Sequence, residues 1–552
     1  MESNDTQAAV PQAAVNTPDN GPNNARFAAL HPWRQSENFL SLVLMLLWVG
    51  FFAFLWSTIA FEDEQGIHTR SVNLGGDWVV HMTFTNAFHD WPISDWFSKS
   101  PLMSEGNFAY PAAPNIFSAL IMHTGLSDLN SMKLSSFICC TALLFALYFF
   151  FREFKFGRLW SLIGLSLFLL NGGFGYMDFF FDGTEHATHL KERGYVVQNF
   201  IISEFIPQRA ILFAAPLFLT GLIFVKRALE SPIPKHKYAY MAAVGLISNL
   251  IMFSSMHSYL CFVIICFITG LFNIKQWKSW SVLVLIAGLT NAALYFGYYA
   301  VNNTDGFLKF RPGEFIKFSE LSLVEHFVKN YALLLPIAAY GIYRHALWKK
   351  PYILAGMFLL TLAYFVQFQP WIWDNTKIIT WAVLLLILAL LFQLQHWWGQ
   401  NWRKKIVVFV VLASGMCAGT IDVWRLYKPN ARIYTMFTPE DRKLAEQFNA
   451  LTSHDDIVLN HTGYNSWVYA LAGRQVYKGF TGWLWTYGVD TGPLEREQKR
   501  MLKGDVEALA EHNIDYIVID RHHEKKLVDQ RKFARYKRVL KSRRYLVLKV
   551  EK

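Results

Sequence analysis

Charge-free apolar runs alternate with short polar segments over most of the chain. The runs fall at 39–60, 134–151, 159–177, 210–225, 238–253, 258–273, 279–301, 331–343, 351–366, 378–395 and 406–421. Runs near 18 residues or longer have no use in a soluble core. In lipid, as helices, they satisfy their own backbone hydrogen bonds. The pattern predicts a polytopic α-helical membrane protein with about eleven transmembrane helices.

The stretch 115–126 is also apolar, but its 12 or so residues fall short of the ~20 needed to cross a bilayer. Charge decides how to read it. If it does not cross and the N-terminus is cytoplasmic, every dense basic cluster falls inside: Arg152/Lys155/Arg158, Lys226/Arg227/Lys235/Lys237, Lys275/Lys278, Arg344/Lys349/Lys350 and Arg403/Lys404/Lys405. If it crosses, all of them fall outside, against the positive-inside rule. The expected organisation is therefore a disordered cytoplasmic tail at 1–37 and a transmembrane domain at 38–421 with a long external loop at 61–133. An external soluble α/β domain follows at 422–552. In that last part Asp456–Leu459, Tyr516–Asp520 and Tyr545–Val550 read as strands, and Pro439–Leu451, opened by Thr438, reads as a capped helix. The expected location is a bacterial inner membrane, with the C-terminal domain on the periplasmic or lumenal side.

Composition narrows the function classes. The net charge of +11 would suggest nucleic acid in a soluble protein, but here the basic residues sit in short loops where they orient helices, so no nucleic-acid partner is expected. Cys139, Cys140, Cys261, Cys266 and Cys417 all lie in apolar runs and read as small buried hydrophobes. No cysteine–histidine pattern calls for zinc. A divalent metal is compatible with the acids described next, but no cluster requires one. The centres of the apolar runs carry no Asp, Glu, Lys or Arg, which counts against an ion-coupled transporter.

Polar chemistry collects at the predicted outer helix ends. Glu62, Asp63 and Glu64 directly follow the first run, and Asp77 and His81 stand four apart, on one face of any helix there. Arg209 opens the fourth run, His257 sits in a tight outer turn, and Asp374, Asn375 and Lys377 precede the tenth run. Each has an ordinary use as a solvated flank, an interface anchor or a turn cap. Their convergence on one face is what points to chemistry. A group carried on a lipid phosphate presents its reactive bond at headgroup level. There Arg209 and Lys377 would hold the phosphate, and a carboxylate would deprotonate an acceptor hydroxyl.

At these residues the chain resembles the GT-C superfamily of integral-membrane glycosyltransferases. The likeness rests on Gly76-Asp77 through His81, Tyr110-Pro111 with Phe117-Ser118-Ala119, Pro207-Gln208-Arg209, Trp373 to Lys377, Leu471-Ala472-Gly473-Arg474 and Gly482-Trp483-Leu484-Trp485. It is diffuse and spans about 40–520. The resemblance implies a GT-C-like fold and a polyprenyl-phosphate-linked sugar donor. It also implies a glycan, lipid or protein acceptor, and a catalytic base on the first external loop. Four acids compete for that role. Closeness to the first helix favours Asp63, which leaves Asp77, with His81 beside it, to hold the acceptor or a metal. Glu62, Glu64, His257, Asp374 and Asn375 would line the substrate site.

Overall fold

The computed structural model describes residues 31–105, 108–301, 307–317, 321–428, 431–461, 463–522 and 532–551. Of the tail expected to be disordered at 1–37, residues 1–30 lie outside the described residues, and 31–37 are instead the first turns of a helix. The chain is an integral-membrane helical bundle with a mixed α/β layer at one end. Its helices are α1 (His31–Thr58), α2 (Val72–Asp90), α3 (Ala113–Met122), α4 (Asp128–Glu153), α5 (Arg158–Leu169), α6 (Gly175–Asp182), α7 (Arg209–Glu230), α8 (Pro234–Ser254), α9 (Met256–Phe272), α10 (Trp277–Gly297), α11 (Glu314–Lys317), α12 (Leu323–Tyr331), α13 (Leu334–Arg344), α14 (Pro351–Phe365), α15 (Thr376–Trp398) and α16 (Trp402–Arg425).

Every apolar run coincides with a helix, but not every helix is long enough to cross alone. Among the described residues six are long and apolar enough by length and composition: Glu37–Thr58, Asp128–Glu153, Arg209–Glu230, Ile274–Gly297, Ile372–Trp398 and Trp402–Arg425. The run 159–177, read as one crossing, is broken. Helix α5 stops after 12 residues, about 18 Å, and α6 restarts at Gly175. The cause is Gly172-Gly173: a side chain at Gly173 would meet the Lys329 carbonyl oxygen at 1.9 Å, and one at Gly172 the Gly419 nitrogen at 2.8 Å. The chain leaves the helix where two other segments press on its backbone. The run 331–343 is likewise interrupted, at Ala332, whose φ of 47° is left-handed.

Contacts sort the helix ends into two faces. At one, Asn38 meets Arg158, Arg227 pairs with Glu153 at 3.1 Å, and Lys237 bonds Gln276 at 3.2 Å. Phe154 packs on Tyr352, Trp160 on Trp398, and Lys404 and Lys405 lie over Trp397 and Trp398. The basic clusters singled out by sequence thus share one end of the bundle. At the other end α1 meets the end of α16 through Thr58 and Tyr427, and Asn86 of α2 donates to the Ala470 carbonyl at 2.7 Å. Helix α3, the stretch too short to cross, packs there on α2, α4 and α7.

The α/β layer is built jointly by the first loop and the C-terminal segment. Strands β1 (Ala60–Asp63) and β2 (Gly66–Thr69) form a hairpin. A short pair, β3 (Lys309–Phe310) with β4 (Val366–Gln367), lies apart from it. Strand β5 (Tyr434–Phe437) adds antiparallel to β2. Helix α17 (Pro439–Leu451) follows, closed by the reciprocal Thr438–Asp441 capping box that Thr438 announced. A second sheet runs β6 (Val458–Leu459), β7 (Tyr516–Asp520), β9 (Tyr545–Lys549), β8 (Lys537–Lys541), with β6 and β7 parallel and the rest antiparallel. Strand β8 escaped the sequence reading because it is a charged edge strand, Lys537-Arg538-Val539-Leu540-Lys541, whose lysines discourage further pairing. Residues 100–104 of the first loop also pair with 476–479, so the loop and the C-terminal segment form one layer.

Candidate functional site

A cavity of about 460 Å³ opens where the bundle meets the α/β layer. Its polar wall holds Gln208, His257, Lys377, Tyr110 and Tyr487; its deeper wall is apolar, with Ile211, Leu260 and Val263. The wall changes from polar to apolar along the direction of the membrane helices.

Each polar group is fixed by its local structure. Lys377 lies on the first turn of α15, and the 3₁₀ turn before it (Ile372–Asn375) sets Asp374 three residues back, 2.7 Å from the Lys377 Nζ. Asp77, on the second turn of α2, accepts a hydrogen bond from Gln208 Nε2 at 2.8 Å. It lies deep in the protein yet is only partly shielded. Burial pushes its carboxyl up to about 6; the Asp374 charge acts the same way, against Lys377 and the Gln208 bond. His81 is four residues on, but it faces elsewhere. Its Nδ1 bonds the Asn115 oxygen at 2.8 Å, and Nε2 is 3.4 Å from the Tyr110 hydroxyl. Because the Asn115 amide nitrogen donates to the Pro111 carbonyl, its oxygen must accept, and the His81 proton therefore sits on Nδ1. Burial, reinforced by the Arg209 charge, pulls His81 down to about 3, so it is neutral at physiological pH and packs as an uncharged strut.

Glu204 was not singled out by sequence. It lies in the π turn Ile201–Phe205, 1 % exposed, and its Oε1 is 2.6 Å from the Thr376 hydroxyl. Burial raises its carboxyl to about 7. Tyr110, named in the sequence only within the Tyr110-Pro111 likeness, and Tyr487, not singled out, also line the cavity, with their rings 5.3 Å apart. For Tyr487 the available signal was its position two residues beyond the Trp483–Trp485 segment, on the turn that ends α19 (Thr481–Thr486), after the short α18 (Trp467–Ala470).

Three expectations need correction. Glu62, Asp63 and Glu64 do not extend the first helix: they form the end of β1 and its turn, away from the cavity wall. Asp63 is held by the Gln65 backbone N–H at 2.7 Å and by His68 at 3.0 Å, contacts that keep its carboxyl below the usual range, the Gln65 bond foremost. Glu62 pairs with Arg442 at 2.8 Å, and Glu64 is exposed in the turn. Arg209 does not line the cavity either. It is fully buried, its Nη2 donating to Ser118 Oγ at 2.6 Å and Ser135 Oγ at 2.7 Å, with Trp78 and Phe213 beside it. It clamps α3 and α4 to α7. Asn375 is buried and donates to the Ala363 and Val366 carbonyls, which ends α14 and orients the next turn. His257, Asp374 and Lys377 do come together with Asp77.

Arg209→Ala is expected to lower stability by about 2–4 kcal/mol, because it leaves a cavity where the side chain joined α3 and α4 to α7. Thermal unfolding in detergent measures this; an unchanged Tm would remove the clamp.

The metal-like cluster Asp95, His454 and Asp455 lies in the α/β layer, away from the cavity. Lys99 Nζ already sits 2.9 Å from Asp95 and 2.6 Å from Asp455, so the group reads as an ion-pair network.

The fold is similar to that of the oligosaccharyltransferase from Archaeoglobus fulgidus. The apo form matches with a TM-score of 0.53 at 12% identity over 88% of this chain and 70% of that one. The form tethered to an acceptor peptide containing the NVT sequon matches with a TM-score of 0.52, at the same identity and coverage. ArnT from Cupriavidus metallidurans in the apo state gives a TM-score of 0.48 at 10% identity over 94% of this chain and 98% of that one, and nothing below rests on it. No protein-family profile matches the chain, and no curated protein matches it in sequence. The chain therefore shares its fold with the Archaeoglobus fulgidus oligosaccharyltransferase.

Proposed function

We propose that this protein is a glycosyltransferase that moves a sugar from a polyprenyl-phosphate-linked donor to a glycan, lipid or protein acceptor on the outer membrane face. The observation that carries the reading is the cavity itself. It joins an apolar wall at membrane depth to a polar wall holding Lys377 and Gln208, with Asp77 bonded to Gln208, which suits a ligand with an isoprenoid chain and a phosphate head. Lys377 would hold the phosphate as leaving-group charge develops, and Asp77 would take the acceptor proton as the sugar bond forms. Asp77 replaces Asp63 in this role because Asp63 is tied into the β1–β2 hairpin by the Gln65 N–H and His68. Asp374 orients Lys377 through their ion pair, and Tyr110 and Tyr487 would close the site over the sugar.

Transfer from a radiolabelled polyprenyl-phosphate sugar by the purified protein tests the reading. Uptake by proteoliposomes without bond cleavage would make the protein a transporter instead.

The proposed orientation puts the α/β layer outside and the basic face in the cytoplasm. Single cysteines at Glu192 and Lys443 in a cysteine-free background are then expected to label with an impermeant thiol reagent from outside. Cysteines at His236 and Lys404 should label only after permeabilisation. Labelling of the 443 site from inside would reverse the arrangement.

A further inference from the structure

Glu204 stands out because its hydrogen bonding suits only one protonation state. Its Oε1 lies 2.6 Å from Thr376 Oγ1, and its Oε2 is buried with no partner. The Thr376 hydroxyl has one hydrogen and two neighbours that can accept it: Glu204 Oε1, and the Trp373 carbonyl at 2.7 Å. A carbonyl only accepts. If Glu204 were ionised, a buried carboxylate would share a single donor with that carbonyl, and one of its oxygens would face no donor at all. With the proton on Oε1 every hydrogen has an acceptor, and the oxygen left without a donor is an uncharged carbonyl. Glu204 donates to Thr376, and Thr376 donates to Trp373.

Of the charges facing Glu204, Asp374 and Asp77 point the same way and Lys377 opposes them. Asp77 approaches from α2, and Asp374 and Lys377 from the start of α15; these are the charged groups the packed elements direct at it. Lys377 and Asp374 pair with each other, so the site already carries one net negative charge when Asp77 is ionised. An ionised Glu204 would double it, next to the place proposed for a phosphate.

We infer that Glu204 is a positioning residue that holds its proton on the Thr376 hydroxyl and thereby admits an anionic ligand to the Lys377 cavity. The protonation half stands on the hydrogen bonds alone; the ligand half rests on the donor reading above. Glu204 also ties the site together mechanically. Its backbone carbonyl accepts from the Gln208 N–H at 2.9 Å, and Gln208 in turn holds Asp77.

The tests separate the two halves. In pH-difference infrared spectra of the full-length protein, a buried carboxylic-acid C=O band is expected to disappear between pH 6 and pH 8.5, around the titration at about 7. Glu204→Gln should lack that band, and Thr376→Val, which removes only the acceptor hydroxyl, should shift it. Asp77→Asn should leave it in place, so the two acids are told apart. A spectrum unchanged by both Glu204→Gln and Thr376→Val would overturn the assignment. Calorimetric binding of undecaprenyl phosphate tests the second half. Glu204→Gln should match wild type at pH 6 and bind about tenfold more tightly than wild type at pH 8.5, the effect of one like charge removed near the anion. Inorganic phosphate in a parallel titration shows whether the head alone suffices. Equal affinities of wild type and Glu204→Gln at pH 8.5 would overturn the gating role. Absence of undecaprenyl phosphate binding at every pH would overturn it together with the donor reading, and the infrared result would still decide where the proton sits.

Discussion

Asp77→Asn is expected to lower single-turnover transfer by a factor of 10²–10⁴, while Asp63→Asn stays near wild type. General-base catalysis is worth that range, and Asn keeps the shape and the Gln208 contact while losing proton affinity. The pH dependence supplies an independent check. The base works only when ionised, and burial has raised its carboxyl to about 6, so activity should fall with unit slope as pH drops through about 6 and level off above it. An acid held below the usual range, such as Asp63, would not impose that limb so near neutrality. If Asp63→Asn proves dead and Asp77→Asn active, the base belongs to the hairpin and the cavity has another use.

The fold was largely legible because membrane helices announce themselves by composition, and because charge at helix ends encodes their direction. The eleven apolar runs all became helices, and the basic loops gathered at one end. The failures were tertiary. Nothing local in Gly172-Gly173 reveals that the Lys329 carbonyl and Gly419 press on it, so one crossing was drawn through a break. The candidate site was legible as a gathering of polar residues at one end of the bundle, and less so by residue. Asp77, His257, Asp374 and Lys377 converge, but Arg209 looked like a phosphate clamp because an arginine opening a helix at the membrane face is usually within reach of the headgroup layer. Its burial against Ser118 and Ser135 depends on α3 and α4 folding over it. Asp63 looked like the base because distance along the chain from α1 stood in for distance in space. A four-residue strand, ended by the turn at Glu64-Gln65, carries it to the hairpin tip instead. Glu204 was overlooked because a single acid in an apolar loop has no pattern; only the Thr376 contact gives it meaning.

Lys377→Met is expected to weaken donor use about 10–100-fold, the worth of a hydrogen bond to a charged group, with a rise in KM for the lipid donor as its main expression. A single substitution leaves an ambiguity that the ion pair allows to be resolved. Asp374 is 18% exposed and lies 2.7 Å from Lys377, so removing the lysine also strands a shielded carboxylate beside the phosphate position. Part of the loss would then be repulsion by Asp374 and not a missing contact. The double variant Lys377→Met with Asp374→Asn removes that repulsion. If Lys377 grips the phosphate, the double variant stays impaired and Asp374→Asn alone keeps most of the donor affinity, because the cation is still present. If Lys377 serves only to neutralise Asp374, the double variant recovers wild-type KM, and the phosphate must be held by another part of the wall. Donor KM measured for the three variants at one pH well above 7, because loss of the Lys377 charge lets the Asp77 carboxyl rise further, decides between them.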